Sequence, residues 1–178
     1  HNYETLEEEE RRILLHYIRL SLHKINVESI KHILMSEETT KNYRIFLVDD
    51  DVKTLIMIKH HLEKKIEQKI TVNVFAYGEN CISKIEEEGI KPDIVVLDYY
   101  LNAINANAAE GLVILKKIKS LSPNSQVIMM SGQEDMQTAI ETIRNGAYDY
   151  IIKNEKAMQR LELLVNKIIY QSYRRSKK

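Results

Sequence analysis

The chain has 178 residues, room for one domain with a full core and a small appendage. Hydrophobic residues make up 44% and charged residues 29%, too apolar for a disordered chain; Lys plus Arg and Asp plus Glu balance at 26 each, so net charge points to neither nucleic acid nor an acidic partner. The single Cys81 excludes an internal disulfide framework and fits a reducing compartment, and no apolar run approaches the roughly 18 residues that span a bilayer, so a cytoplasmic location is expected.

The first predicted elements are helical. Thr5 followed by Glu8 has the pattern of a capping box, and a long helix from about Leu6 to Ile25 follows, striped by Ile13, Leu14, Tyr17, Ile18, Leu22 and Ile25. Asn26 can cap a shorter second helix carrying Ile30, Ile33 and Leu34. Residues 1–42 are therefore expected to form a helical extension, a hairpin or bent helix whose wide stripe needs cover, and dimerisation or docking is its expected role. The segment is acidic through Glu7 to Glu10 and lacks a basic recognition helix, so DNA reading is not expected of it.

From Tyr43 the texture changes to short apolar runs alternating with segments of helical period. Arg44 to Val48, Ile70 to Phe75, Ile94 to Leu97, Gln126 to Met130 and Tyr148 to Ile152 read as buried strands. Between them, Val52 to Lys65 carries Leu55, Ile58, Leu62 and Ile66 at helical spacing, and Leu112 to Leu121 carries Leu112, Leu115 and Ile118. Glu79 to Glu88, Asp135 to Asn145 and Glu155 to about Tyr173 complete the helices, with Gly89, Ser122-Pro123 and Gly146 as stop signals. Strands alternating with helices imply right-handed crossovers and a parallel sheet covered on both faces, a doubly wound α/β domain over 43–178 with an extended last helix.

In such a sheet the carboxyl ends of the strands gather the chemistry. Here those ends carry Asp49, Asp50 and Asp51 on the first strand, Asp98 on the third, Ser131 on the fourth and Lys153 on the fifth. Two carboxylates about 4 Å apart repel by roughly 4 kcal/mol at an effective dielectric of about 20, so a positive charge must compensate. Mg²⁺ suits the place, since it is satisfied by one or two carboxylates, water and phosphate oxygens. Lys153 adds a second positive charge and Ser131 a hydrogen-bond donor. A carboxylate nucleophile, a cation and donors for the equatorial oxygens are the parts that phosphoryl transfer requires. Asp51 reads instead as a helix cap.

The order and context of these segments resemble the receiver domain of two-component response regulators. "FLVDDD" is similar to the family's first strand with its acidic pair at Asp49 and Asp50; "DIVVLDYYL" resembles the phosphoacceptor strand; "VIMMSGQED" resembles the strand ending in Ser or Thr; "GAYDYIIKN" resembles the strand that carries the switch aromatic and the lysine. The resemblance implies a flavodoxin-like sheet of strand order 2-1-3-4-5 and a phosphorylation switch with Asp98 as acceptor. It further implies Mg²⁺ held by Asp50 and Asp98 directly, by Asp49 largely through water and by the backbone carbonyl of Tyr100, with Ser131 and Lys153 on the phosphoryl oxygens. Ser131 and Tyr150 would be the switch pair. The implied partners are a histidine kinase or histidine phosphotransfer protein and a downstream protein target, with a possible homodimer through the N-terminal helices and no membrane.

Three departures accompany the likeness. Asn154 stands where the family generally has proline behind a cis bond, which leaves the Lys153–Asn154 bond open between trans and cis. The stretch "DYYLNAINANAAEG" is longer than usual between Asp98 and Gly111, an insertion over 102–110 that is either a tolerated loop or a partner-contact element. Tyr100 and Gln133 occupy the positions that in the family tune the hydrolytic water, and a bulky Tyr100 implies slow self-dephosphorylation. Two other readings stay open: a phosphorylation-silent pseudo-receiver, and a haloacid-dehalogenase-like Mg²⁺ phosphatase, which needs a second Asp where Tyr100 stands.

Overall fold

The structure is a computed structural model and describes residues 41–101, 111–132 and 136–176. The expected N-terminal helices, the 102–110 insertion and Gln133 lie outside the described residues. Residues 41–178 form a compact unit.

In that unit β1 (Tyr43–Val48), β2 (Ile70–Phe75), β3 (Ile94–Asp98), β4 (Gln126–Ser131) and β5 (Asp149–Ile152) form one sheet in the order 2-1-3-4-5, every neighbour parallel. The helices are α1 (Val52–Lys65), α2 (Gly78–Glu86), α3 (Gly111–Leu121), α4 (Met136–Arg144) and α5 (Ala157–Ser176). The doubly wound architecture and strand order are thus those expected. No helix among the described residues is long and apolar enough to cross a membrane.

The strands are apolar along their whole length because both faces are covered. Side chains alternate across the sheet with period two. Ile45 and Leu47, Ile94 and Val96, and Ile128 and Met130 pack with Leu55, Ile58 and Leu62 of α1 and Leu161, Val165 and Ile169 of α5. Phe46 and Val48, Val95 and Leu97, and Val127 and Met129 pack with Cys81 and Ile85 of α2 and Leu115 and Ile118 of α3. The lone cysteine is therefore a core residue, and burial pushes its thiol up to about 12.

Several element ends differ from the sequence reading, each for a local reason. The α2 helix stops at Glu86 rather than Glu88, and Gly89 then reverses the chain with φ of 66°, a conformation a side chain disfavours. β5 starts at Asp149 rather than Tyr148, although the Tyr148 N–H already donates to the Val127 carbonyl at 2.7 Å. The start of α5 moves from Glu155 to Ala157, because residues 154–156 form a turn built on Asn154. Each of β3 and β4 gains one residue, Asp98 and Ser131, so both chemistry-bearing side chains sit on the last rung of their strands rather than beyond it.

Candidate functional site

The site begins where β1 runs out. Val48 pairs with Phe75 on one side and Leu97 on the other, and the Asp49 N–H continues the ladder to the Phe75 carbonyl at 3.1 Å. The chain then turns into α1. Asp49 Oδ1 accepts the Asp51 N–H at 2.9 Å, while Asp51 accepts the Lys53 N–H at 3.0 Å and the Thr54 hydroxyl at 2.7 Å. Asp51 is the α1 cap, and the Thr54 hydroxyl, aided by the Lys53 N–H, holds its carboxyl below the usual range. Asp49 and Asp50 are buried beside it, only 3% and 7% exposed.

Asp98 closes the group from β3. One carboxylate oxygen from each of Asp49, Asp50 and Asp98 lies within 4.8 Å of the others. Opposite them stands Lys153. Ile152 pairs with Ser131, the Lys153 N–H donates to the Ser131 carbonyl at 2.7 Å, and the side chain then reaches back across the strand ends. Its Nζ lies 2.7 Å from Asp49 Oδ2 and 2.8 Å from Asp98 Oδ1. Both oxygens of Asp49 are thereby engaged, one by the turn and one by the ammonium.

Burial dominates the electrostatics of Asp98 and pushes its carboxyl up to about 6; Lys153 works against this shift, while Asp49 and Asp50 add to it. Burial also opposes the charge on Lys153, but its hydrogen bonds to Asp49 and Asp98 outweigh it and hold the ammonium above the usual lysine range. Among the described residues, three carboxylates facing the Lys153 ammonium remain short of positive charge. The donor set is made only of hard oxygens gathered in a small space, which fits a hard divalent ion of the Mg²⁺ kind and not a soft one.

The other expected site residues surround this centre. Ser131 ends β4 fully buried, one rung beyond Met130, which pairs with Asp98. Tyr150 is buried in β5 within the cluster that covers the α2–α3 face. Tyr100 follows Asp98 on the loop, 38% exposed, with its ring packed edge-on against Tyr99 at 4.8 Å. No peptide bond among the described residues is cis, so Lys153–Asn154 is trans, and Lys153 still reaches both acids.

Two features escaped the sequence reading. Gly111, noted only as a spacing marker, begins α3 so close to β3 that a Cβ there would lie 2.3 Å from the Asp98 carbonyl oxygen and 2.8 Å from Tyr99 Cα. Its N–H also donates to the Tyr99 carbonyl at 3.0 Å. Asn154, noted only as a missing proline, accepts the Lys156 N–H through Oδ1 at 3.0 Å. An Asn three residues before the first apolar position of a helix was the available signal for the second; nothing local signalled the first.

Comparison with known proteins agrees with this geometry. The profile of the response regulator receiver domain matches residues 45–166, most of the compact unit. The chain belongs to this family. The chemotaxis protein CheY of Listeria monocytogenes is 31% identical over 122 residues, covering 68% of this chain and 94% of the relative. CheY of Bacillus subtilis is 31% identical over 123 residues with the same coverage, 68% and 94%. Among solved structures, the receiver domain of NtrX from Brucella abortus superposes with a TM-score of 0.59 at 29% identity, covering 70% of this chain and 96% of that one. As a receiver domain this chain is a module of two-component signalling rather than an enzyme in its own right.

Proposed function

We propose that this receiver accepts a phosphoryl group on Asp98 from the phosphohistidine of a histidine kinase or a histidine phosphotransfer protein. An Asp98 carboxylate oxygen attacks phosphorus, the phosphorus–nitrogen bond breaks, and the donor imidazole leaves with the electron pair and takes up a proton. Bound Mg²⁺ would neutralise charge on the transferring oxygens, held by Asp50, Asp98 and the Tyr100 carbonyl directly and by Asp49 through water. The engagement of both Asp49 oxygens within the protein supports that indirect role. Lys153, already between Asp49 and Asp98, needs only a small movement to contact an oxygen of the new phosphoryl group, and Ser131 donates to another. Ser131 and Tyr150 act together as the switch, and the output is a contact with a downstream protein.

The observation that carries the reading is the convergence of Asp49, Asp50, Asp98 and Lys153 at one strand-end pocket, with the ammonium within 2.8 Å of the proposed acceptor. A pseudo-receiver has no need to maintain that arrangement of buried charge. The test is incubation of the intact chain with acetyl phosphate and Mg²⁺, followed by intact-protein mass spectrometry. One added phosphoryl group, absent in Asp98→Asn, is expected; no addition, or equal addition to the variant, overturns the proposal.

A further inference from the structure

We infer that Asn154 is a positioning residue that holds Lys153 over the acidic pocket; the inference rests on the phosphoacceptor reading above. Lys153 is anchored on its N-terminal side, where its N–H donates to the Ser131 carbonyl at 2.7 Å. On its C-terminal side, among the described residues, the anchors belong to Asn154. The Asn154 N–H donates to the Ile152 carbonyl at 2.9 Å, its Oδ1 accepts the Lys156 N–H at 3.0 Å, and its carbonyl accepts the Ala157 N–H at 3.0 Å. These bonds fold residues 152–157 into a tight turn that starts α5 and sets the direction in which Lys153 leaves the strand.

The side chain of Asn154 is exposed, so core packing does not call for it. Its short amide suits the turn because the oxygen reaches the N–H two residues on. The Lys153 side chain keeps only 26% exposure, and a long amine whose tip must meet both Asp49 and Asp98 is sensitive to where its backbone begins. If Oδ1 is removed, the Lys156 N–H loses its partner, the entry to α5 loosens, and the ammonium is no longer delivered between Asp49 and Asp98. With Oδ1 in place, a trans bond suffices to bring Lys153 to both acids.

The test is a titration of the full-length chain with beryllofluoride, a phosphoryl mimic, at fixed Mg²⁺. Tyrosine fluorescence is a direct readout, since the chain has 10 Tyr and no Trp. Asn154→Ala is expected to raise the half-saturating concentration about threefold to tenfold, in keeping with the loss of one capping bond. Asn154→Ser, which keeps a short oxygen acceptor, is expected to return it to within about twofold of wild type. In the background of Lys153→Ala, the Asn154→Ala change is expected to have no further effect, because its action passes through the ammonium. A merely structural cap would lower thermal stability yet leave these titrations alone. An Asn154→Ala titration equal to wild type, or additive losses in the double variant, overturns the inference while leaving the phosphoacceptor reading intact. A wild-type chain that gives no beryllofluoride response overturns both.

Discussion

Asp98 carries the most strongly shifted carboxyl of the acidic pocket, and its shift has a stability consequence. An unfolded Asp ionises near pH 4, whereas burial keeps folded Asp98 protonated up to about 6. Between those values the folded state holds the extra proton, so the contribution of Asp98 is fully present below about pH 4 and lost as pH rises through about 6. Asp98→Asn is therefore expected to be more stable than wild type near pH 7 without Mg²⁺, by on the order of 2 kcal/mol, with the difference disappearing near pH 4. Urea unfolding at the two pH values checks the sign, and added Mg²⁺ should stabilise wild type more than the variant. We propose that Tyr100, 38% exposed and two residues beyond the acceptor, slows hydrolysis of an aspartyl phosphate by limiting the approach of water. Tyr100→Ala is expected to shorten that phosphate's lifetime severalfold, followed by loss of radiolabel; an unchanged lifetime would remove the shielding role. Most of these residues were legible in the sequence because each ends an apolar run, a local pattern. The partner of each acid was not, since residue type alone does not say which oxygen meets which donor.

Elements place these residues through their ends. α1 starts on Asp51, whose cap fixes the turn that presents Asp49 and Asp50. α5 starts on the Asn154 turn, which presents Lys153. α3 starts on Gly111, where only the missing Cβ allows the helix to approach the Asp98 and Tyr99 backbone. The atoms a methyl group would meet are main chain and cannot rotate aside, so Gly111→Ala is expected to destabilise the fold by about 1–3 kcal/mol and to weaken Mg²⁺ binding by displacing Asp98. Urea unfolding and a Mg²⁺ titration read the two effects separately. The helices themselves were legible from their apolar period, and α1 was bounded correctly because an acid precedes it and basic residues close it. The starts of α3 and α5 were less legible, because close packing on β3 and a side-chain cap from a turn leave little trace in hydrophobic period.

At the scale of the molecule, residues 41–178 form one compact unit with its core on both faces of the sheet. A chain lacking residues 1–40 is expected to unfold cooperatively on its own, and light scattering is expected to give a monomer for it and a dimer for the full chain if the N-terminal stripe is a dimerisation surface. Equal masses would remove that role. The sequence by itself determined the alternation of strand and helix, the burial of both sheet faces and the clustering of acids at strand ends, because period and composition are carried by neighbouring residues. Only the tertiary structure decided that Lys153, 104 residues from Asp49, lies 2.7 Å from it, and that this holds with Asn154 behind a trans bond. The reason is physical: the register and side-chain placement that bring Lys153 to Asp49 are properties of the whole sheet, set by packing on both its faces, and no short stretch of sequence contains them.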